Sequence, residues 1–289
     1  MRDGQLIGER YWGGATASDV LAVNSATKSV TSLLVGLALQ RGTLGDLRRT
    51  VRELLPEDMA RVPDSPAADV TLEQILTGRT GLEFPWTRYR ELLAAADPVR
   101  FALSLPPVRP NPPGWSYNDA MVSLLAAILA RAEGLEMAKL AARDLFVPLG
   151  IERFRWTRDQ KGNAVSFAGL SLRTRDLAKL AWVMIDGGKW RGRAVLPPEW
   201  PAQSTESHGS SFWQALPVKN TGYGYLWFTG NLHGRRVAWA WGYAGQFALL
   251  VPELRLAIAT AAVSPRPEEV NNQTNAIMGL AARMVEVAG

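Results

Sequence analysis

The residues best suited to chemistry in this chain are a serine, a lysine and a tyrosine that lie far apart in the string. Ser25-Ala26-Thr27-Lys28 is the only Ser-x-x-Lys in the sequence. A serine hydroxyl is a weak nucleophile until a base removes its proton, and a lysine in a dry site has a depressed pKa and can be that base. Three-residue spacing at a helix start puts the hydroxyl and the amine on one face. The helix start also offers unpaired N–H groups and a positive dipole end, which favour negative charge as it develops. Taken alone, the same four residues fit a capped helix with a solvated lysine equally well. Tyr117 sits in Pro113-Gly114-Trp115-Ser116-Tyr117-Asn118-Asp119. A phenol presented from a Pro-Gly turn beside an amine can shuttle protons; in isolation it would be a packing or surface tyrosine. Ala240-Trp241-Gly242-Tyr243-Ala244-Gly245-Gln246-Phe247 reads as a turn between two strands, and its glycines let the backbone approach a ligand closely. A substrate carbonyl could accept from the backbone N–H groups of Ser25 and Tyr243, forming an oxyanion hole; without a ligand the segment is an ordinary hairpin.

Rival chemistries have less to stand on. There is no Gly-x-Ser-x-Gly, and His208 and His233 are the only histidines, which argues against a Ser-His-Asp hydrolase. Gly187-Gly188-Lys189 is followed by Trp190 rather than Ser or Thr, so it reads as a helix-ending turn and not a phosphate loop. With no cysteine there can be no disulfide or thiolate metal site, and two histidines make a poor zinc site. The expected chemistry needs no cofactor and no metal.

These residues must be positioned by elements, and the hydrophobic pattern outlines them. Gln5–Trp12 alternates loosely and predicts a strand; Val20–Asn24 predicts a second, short one. Val30, Leu33, Leu34, Leu37 and Ala38 mark a helix over about Ser25–Arg41, ended by Gly42. From Leu47 to Asn163 helical patches alternate with proline-rich connections such as Leu105-Pro106-Pro107 and Pro110-Asn111-Pro112-Pro113-Gly114, and Met121–Ala132 is a clear apolar helix. Beyond Gly169 the pattern predicts a helix over Thr174–Asp186, and then strands over Val237–Trp241, Gln246–Val251 and Leu256–Val263. A last amphipathic helix spans Asn275–Val287. Strands at both ends and helices between predict an α/β (α+β) fold. One antiparallel sheet is built from both chain ends and flanked by helices, with an all-helical lobe inserted. The expected boundaries are 1–47 with 164–289 for the sheet lobe and 48–163 for the helical lobe, with the active site in the cleft between them.

Bulk properties agree with a globular chain. The 289 residues are 47% hydrophobic, enough for a large core. The formal net charge of +5 comes from dispersed arginines, whose largest cluster is Arg48-Arg49, too short for a nucleic-acid arm. No apolar run is long enough to span a membrane. As written, Met1-Arg2-Asp3-Gly4 lacks the apolar stretch of a signal peptide. The protein is then expected to stay in the cytoplasm, or to be periplasmic or secreted if a leader has been removed. The oligomeric state is not readable.

Six blocks in order carry a family resemblance. Val23-Asn24-Ser25-Ala26-Thr27-Lys28-Ser29-Val30-Thr31-Ser32-Leu33-Leu34 is similar to the first block of the β-lactamase-like serine hydrolases, a group that includes class C β-lactamases, DD-peptidases, family VIII carboxylesterases and 6-aminohexanoate-dimer hydrolases. Thr71-Leu72-Glu73-Gln74-Ile75-Leu76-Thr77-Gly78-Arg79-Thr80-Gly81-Leu82, Tyr117-Asn118-Asp119, Pro148-Leu149-Gly150, Gly169–Ala178 and Tyr223-Gly224-Tyr225-Leu226-Trp227 resemble further landmarks of that group. The resemblance implies that Ser25 is acylated, that Lys28 is its general base and that Tyr117 relays protons to the leaving group and from the deacylating water. It also implies that the N–H groups of Ser25 and Tyr243 form the oxyanion hole. The chain departs from the pattern twice. Asp119 stands where the Tyr-x-Asn motif has an amide, and a carboxylate near Lys28 would raise its pKa. Ala240-Trp241-Gly242 stands where β-lactamases carry Lys-Thr-Gly, so the cation that helps hold a substrate carboxylate is missing. The expected substrate is therefore a small ester or amide with an apolar acyl part, in a pocket built from Trp241, Gly242, Tyr243, Tyr225 and Trp227 beside Asp119. β-Lactam or D-amino-acid peptide hydrolysis is the alternative, and a non-catalytic binding protein on the same fold is the alternative of another class.

Overall fold

The computed structural model describes residues 1–108, 114–211 and 213–289. Most of the proline-rich stretch 110–114, including the Pro113 half of the expected Pro-Gly turn, lies outside the described residues.

Short strand β1 (Leu21–Ala22) leads into helix α1 (Thr27–Gln40) through a 3₁₀ turn over Asn24–Ala26. Asn24 has φ 49°, a left-handed conformation that Asn tolerates better than other side-chain-bearing residues. Helices α2 (Val51–Leu54), α3 (Pro56–Met59), α4 (Leu72–Leu76), α5 (Tyr89–Ala94), α6 (Pro98–Leu103), α7 (Asp119–Glu133) and α8 (Met137–Ala141) follow. Strand β2 (Phe154–Trp156) then pairs antiparallel with β3 (Leu170–Leu172), which also pairs with β1. Helix α9 (Thr174–Ile185), the small hairpin β4 (Lys189–Trp190) and β5 (Arg193–Ala194), and helix α10 (Trp200–Ser204) precede the main sheet. That sheet comprises β6 (Lys219–Tyr223), β7 (Phe228–Leu232), β8 (Arg235–Gly242), β9 (Gln246–Val251) and β10 (Leu256–Thr260), a consecutive antiparallel meander. Helix α11 (Val270–Ala288) closes the chain. Among the described residues, no helix is long and apolar enough to cross a membrane.

Three sequence expectations need correction. Gln5–Trp12 is not a strand; Leu6, Ile7 and Trp12 are exposed. The adjacent apolar pair Leu6-Ile7 would point to opposite faces of a strand, so no single core face could bury both. The main sheet is accordingly not built from both chain ends: all five strands fall within 219–260. The N-terminus adds only one rung, Arg2 opposite Leu256, with Ala257 N–H donating to Met1 O at 2.8 Å. The segment 48–163 is not wholly helical either, because β2 lies inside it. Phe154 and Trp156 gain ring contacts with Phe146 at 4.7 and 6.3 Å.

Two elements matter most to the site. Every residue of β9 is buried, so both faces of the sheet are covered there. Helix α1 is buried from Thr27 through Ala38. Two of its buried hydroxyls are tied to distant segments: Ser29 Oγ donates to Leu226 O at 2.7 Å and Thr31 Oγ1 to Ser166 O at 2.7 Å. A helix enclosed on all sides holds its first turn rigidly; Lys28 occupies that turn, and Ser25 sits in the 3₁₀ turn that leads into it.

Candidate active site

Ser25 is half-buried and Lys28 almost fully buried, at 2% exposure. Lys28 Nζ donates to Phe167 O at 2.8 Å and pairs with Asp119 Oδ1 at 2.6 Å. It also lies over the Tyr117 ring, 4.5 Å from the centroid. The Tyr117 phenol faces the Ser25 side chain, whose hydroxyl draws its pKa down. Hydroxyl, amine and phenol, 92 residues apart at the extremes of sequence, thus meet around one point.

Local chemistry explains how Tyr117 arrives there. Asn118 caps α7 by accepting from Met121 N–H at 3.0 Å, and its amide donates to Leu82 O at 3.0 Å. Ser116 N–H donates to Gly78 O at 2.8 Å. Gly78 has φ +66°, and a Cβ there would press on Trp115 and the Ser116 carbonyl. The Thr71–Leu82 block therefore buttresses the Tyr117 loop.

The third side comes from the β8–β9 turn. Gly242 packs so closely on Val23 that a Cβ would overlap the Val23 carbonyl oxygen. The Asn24 amide donates to Tyr243 O at 3.0 Å, tying the Ser25 turn to the hairpin. Among the described residues, no backbone acceptor takes up the N–H of Ser25 or of Tyr243. Tyr243 is exposed, and Trp241 is half-buried among Trp213, Phe228 and Phe247.

Electrostatics set the protonation states. Burial holds the Lys28 amine below its ordinary pKa, and the charge of Asp119 opposes that shift without reversing it. Burial, reinforced by Asp119, pushes the Tyr117 phenol well above 10, with the Ser25 hydrogen bond pulling the other way. Tyr117 is thus a neutral phenol rather than a phenolate. The carboxylate at 119, an oddity in the sequence, is an ion-pair partner in the fold.

Tyr225 and Trp227 do not join this group. Tyr225 is buried, stacks on His208 at 4.6 Å and donates to Glu73 Oε1 at 2.9 Å. Trp227 is core, at 2% exposure. Both were candidates for the acyl pocket as aromatics of the Tyr223–Trp227 block; Tyr225 instead meets Glu73 and Trp200, the latter with ring centroids 5.4 Å apart, and Trp227 is core packing. Conversely, the sequence offered no sign of three neighbours. Phe167 contributes its carbonyl and, 5.7 Å from Lys28 Nζ, its ring. Tyr89 interacts electrostatically with Lys28 and Asp119. Trp213 stacks on Tyr117, with centroids 4.3 Å apart and an interplanar angle of 29°. An isolated exposed tryptophan in a loop was the only available signal for the last.

The Beta-lactamase family model matches residues 1–283. The chain belongs to the Beta-lactamase family. Membership gives it the β-lactamase fold. It is 25% identical over 258 residues to the 6-aminohexanoate-dimer hydrolase of Paenarthrobacter ureafaciens, covering 81% of this chain and 64% of that protein. The chain therefore spans a little under two thirds of the length of that curated relative. Among solved structures, a putative 6-aminohexanoate-dimer hydrolase from Bacillus anthracis superposes with a TM-score of 0.79 at 18% identity, covering 99% of this chain and 78% of that one. A class C β-lactamase from Rhodobacter sphaeroides gives a TM-score of 0.68 at 18% identity, covering 95% and 87%. At these identities the superpositions speak to the fold, and the Beta-lactamase-family fold is the one that gathers Ser25, Lys28 and Tyr117.

Proposed function

We propose that the protein is a serine acyl hydrolase that works through a covalent Ser25 ester, with small esters or small amides as substrates. The observation that supports this reading is the meeting of half-buried Ser25 and Tyr117 with buried Lys28, the amine lying 4.5 Å from the phenol ring centroid. Ser25 Oγ attacks the substrate carbonyl carbon, and its proton passes to the Lys28 amine directly or through Tyr117. For Lys28 to accept it, the amine must first be neutral; in the ion pair that means its own proton moves to Asp119. After attack the Lys28–Asp119 pair holds one extra proton and one positive charge, which offsets the oxyanion held by the N–H groups of Ser25 and Tyr243. Collapse expels the alcohol or amine, which takes a proton from Tyr117 as Lys28 replenishes it. Water then repeats the sequence on the Ser25 ester and releases the acid.

The substrate class follows from what lines the site. Ala240 offers no cation for a substrate carboxylate, and Lys28 is already paired with Asp119. Aromatic rings of Trp241 and Tyr243 stand nearby. Uncharged substrates with apolar parts suit such a surface. The relative named for hydrolysing 6-aminohexanoate dimer keeps small amides in the class alongside esters. The Lys28–Asp119 pair also supports the alternative of a non-catalytic binding protein, since an ammonium locked to a carboxylate is no base.

One set of measurements separates these readings. Fluorophosphonate should label the protein, and the label should map to Ser25 and vanish in Ser25→Ala. p-Nitrophenyl acetate should be turned over faster than nitrocefin. Faster nitrocefin turnover would favour β-lactam hydrolysis, and absence of labelling with no turnover would favour the binding protein.

A further inference from the structure

Trp213 has no role in the reading above, yet it is an exposed member of the aromatic group at the site. Its segment is anchored before it reaches the site: Ser211 N–H donates to Thr221 O at 3.0 Å, Thr221 Oγ1 donates to Ser211 O at 3.2 Å, and Trp213 N–H donates to Ser211 Oγ at 3.1 Å. The indole stacks on Tyr117 at 4.3 Å, and Lys28 Nζ lies over the same phenol at 4.5 Å. Two groups at such distances cannot share one face of a ring, so the phenol is sandwiched between the amine and the indole. The amine side is closed by Asp119 and the Phe167 carbonyl. The indole side is open, with Trp213 41% exposed. Trp241 stands perpendicular to it, centroids 5.8 Å apart at 75°, giving the opening an aromatic corner.

The geometry points to Trp213 as a specificity-determining residue for the leaving group, selecting flat, uncharged alcohols or amines such as benzyl over short alkyl ones. The inference rests on the acyl-hydrolase reading in one respect: Tyr117 hands its proton to the departing atom. A group bonded to that atom can extend only along the open side of the phenol, where the indole lies. An aryl ring placed there gains an offset-stacked or edge contact on a surface already partly dry.

The test compares benzyl acetate with ethyl acetate, which share an acyl group, in wild type, Trp213→Ala and Trp213→Phe. The ratio of kcat/KM for benzyl over ethyl should fall about tenfold in Trp213→Ala and recover in large part in Trp213→Phe. An equal change for both esters in Trp213→Ala would overturn the inference, because it would mean that the indole only steadies Tyr117. A second arm needs no turnover: saturation-transfer NMR of benzyl alcohol with Ser25→Ala and with the Ser25→Ala, Trp213→Ala double variant. Signal lost in the double variant supports the assignment, and signal retained overturns it. If wild type hydrolyses neither ester, the acyl-hydrolase reading fails, and this binding arm alone then decides on Trp213.

Discussion

At the scale of single residues, the proposed mechanism divides the proton work between Lys28 and Tyr117. Replacing Lys28 by Ala or Tyr117 by Phe should each slow ester turnover by roughly 10²–10⁴, the usual weight of a general acid–base group, read as kcat/KM on p-nitrophenyl acetate. Asp119 governs where on the pH axis that work begins. Its charge raises the Lys28 pKa against the stronger lowering by burial. Exchanging it for an uncharged amide in Asp119→Asn removes the raising influence, so the Lys28 pKa falls further and more amine is neutral at a given pH. The limb of the kcat/KM profile that climbs with pH should move to lower pH, with faster acylation near neutrality. A large slowdown across the whole profile would instead make Asp119 an indispensable proton carrier. Ser25, Lys28 and Asp119 were legible as candidates in the sequence, because the first two share a helix turn and the third adjoins a tyrosine motif. The contacts of Lys28 to Phe167 O and of Tyr117 to Trp213 were not, since those partners lie 139 and 96 residues away and carry no motif.

At the scale of elements, the decisive joint is between the Asn24–Ala26 turn and the β8–β9 hairpin. Gly242→Ala would force the end of β8 away from the Val23 carbonyl, and a displacement near 1 Å at a reacting group costs on the order of 10² in rate. The variant should lose about that factor in fluorophosphonate labelling of Ser25 while keeping its far-UV circular dichroism. The sequence pattern located α1, α7, α9, β8 and β9 to within a few residues, because each has a strong apolar period or run. It misjudged Gln5–Trp12, where apolar residues exist without a surface to cover them. It overlooked β2, a three-residue strand too short to register as a pattern. It also pictured α1 as amphipathic. Thr27, Lys28, Ser29, Thr31 and Ser32 look like a solvent face in sequence, and they are buried because backbone carbonyls of distant segments receive most of them.

At the scale of the whole molecule, one continuous apolar cluster runs from α1 through α7 to β8 and β9 and on to α11. The helical stretch 48–163 and the sheet thus share a core, with α1 at the joint. Leu33, fully buried in α1, touches that shared interior. Leu33→Ala should cost about 2–5 kcal/mol, measured as a lower urea midpoint. Loss of near-UV circular dichroism and loss of Ser25 labelling should shift together, since neither part keeps its packing without the other.

The aromatic corner has a practical consequence. The protein contains eleven tryptophans, and two of them, Trp213 and Trp241, border the opening beside Ser25 while Trp115 lies one ring behind. Indole emission depends on solvent contact and on nearby quenchers. Attachment of an acyl group to Ser25 would exclude water from Trp213 and shift its emission toward the blue. The enzyme would in that case report its own acylation optically, with no dye attached, and the signal should be lost in Ser25→Ala and muted in Trp213→Phe.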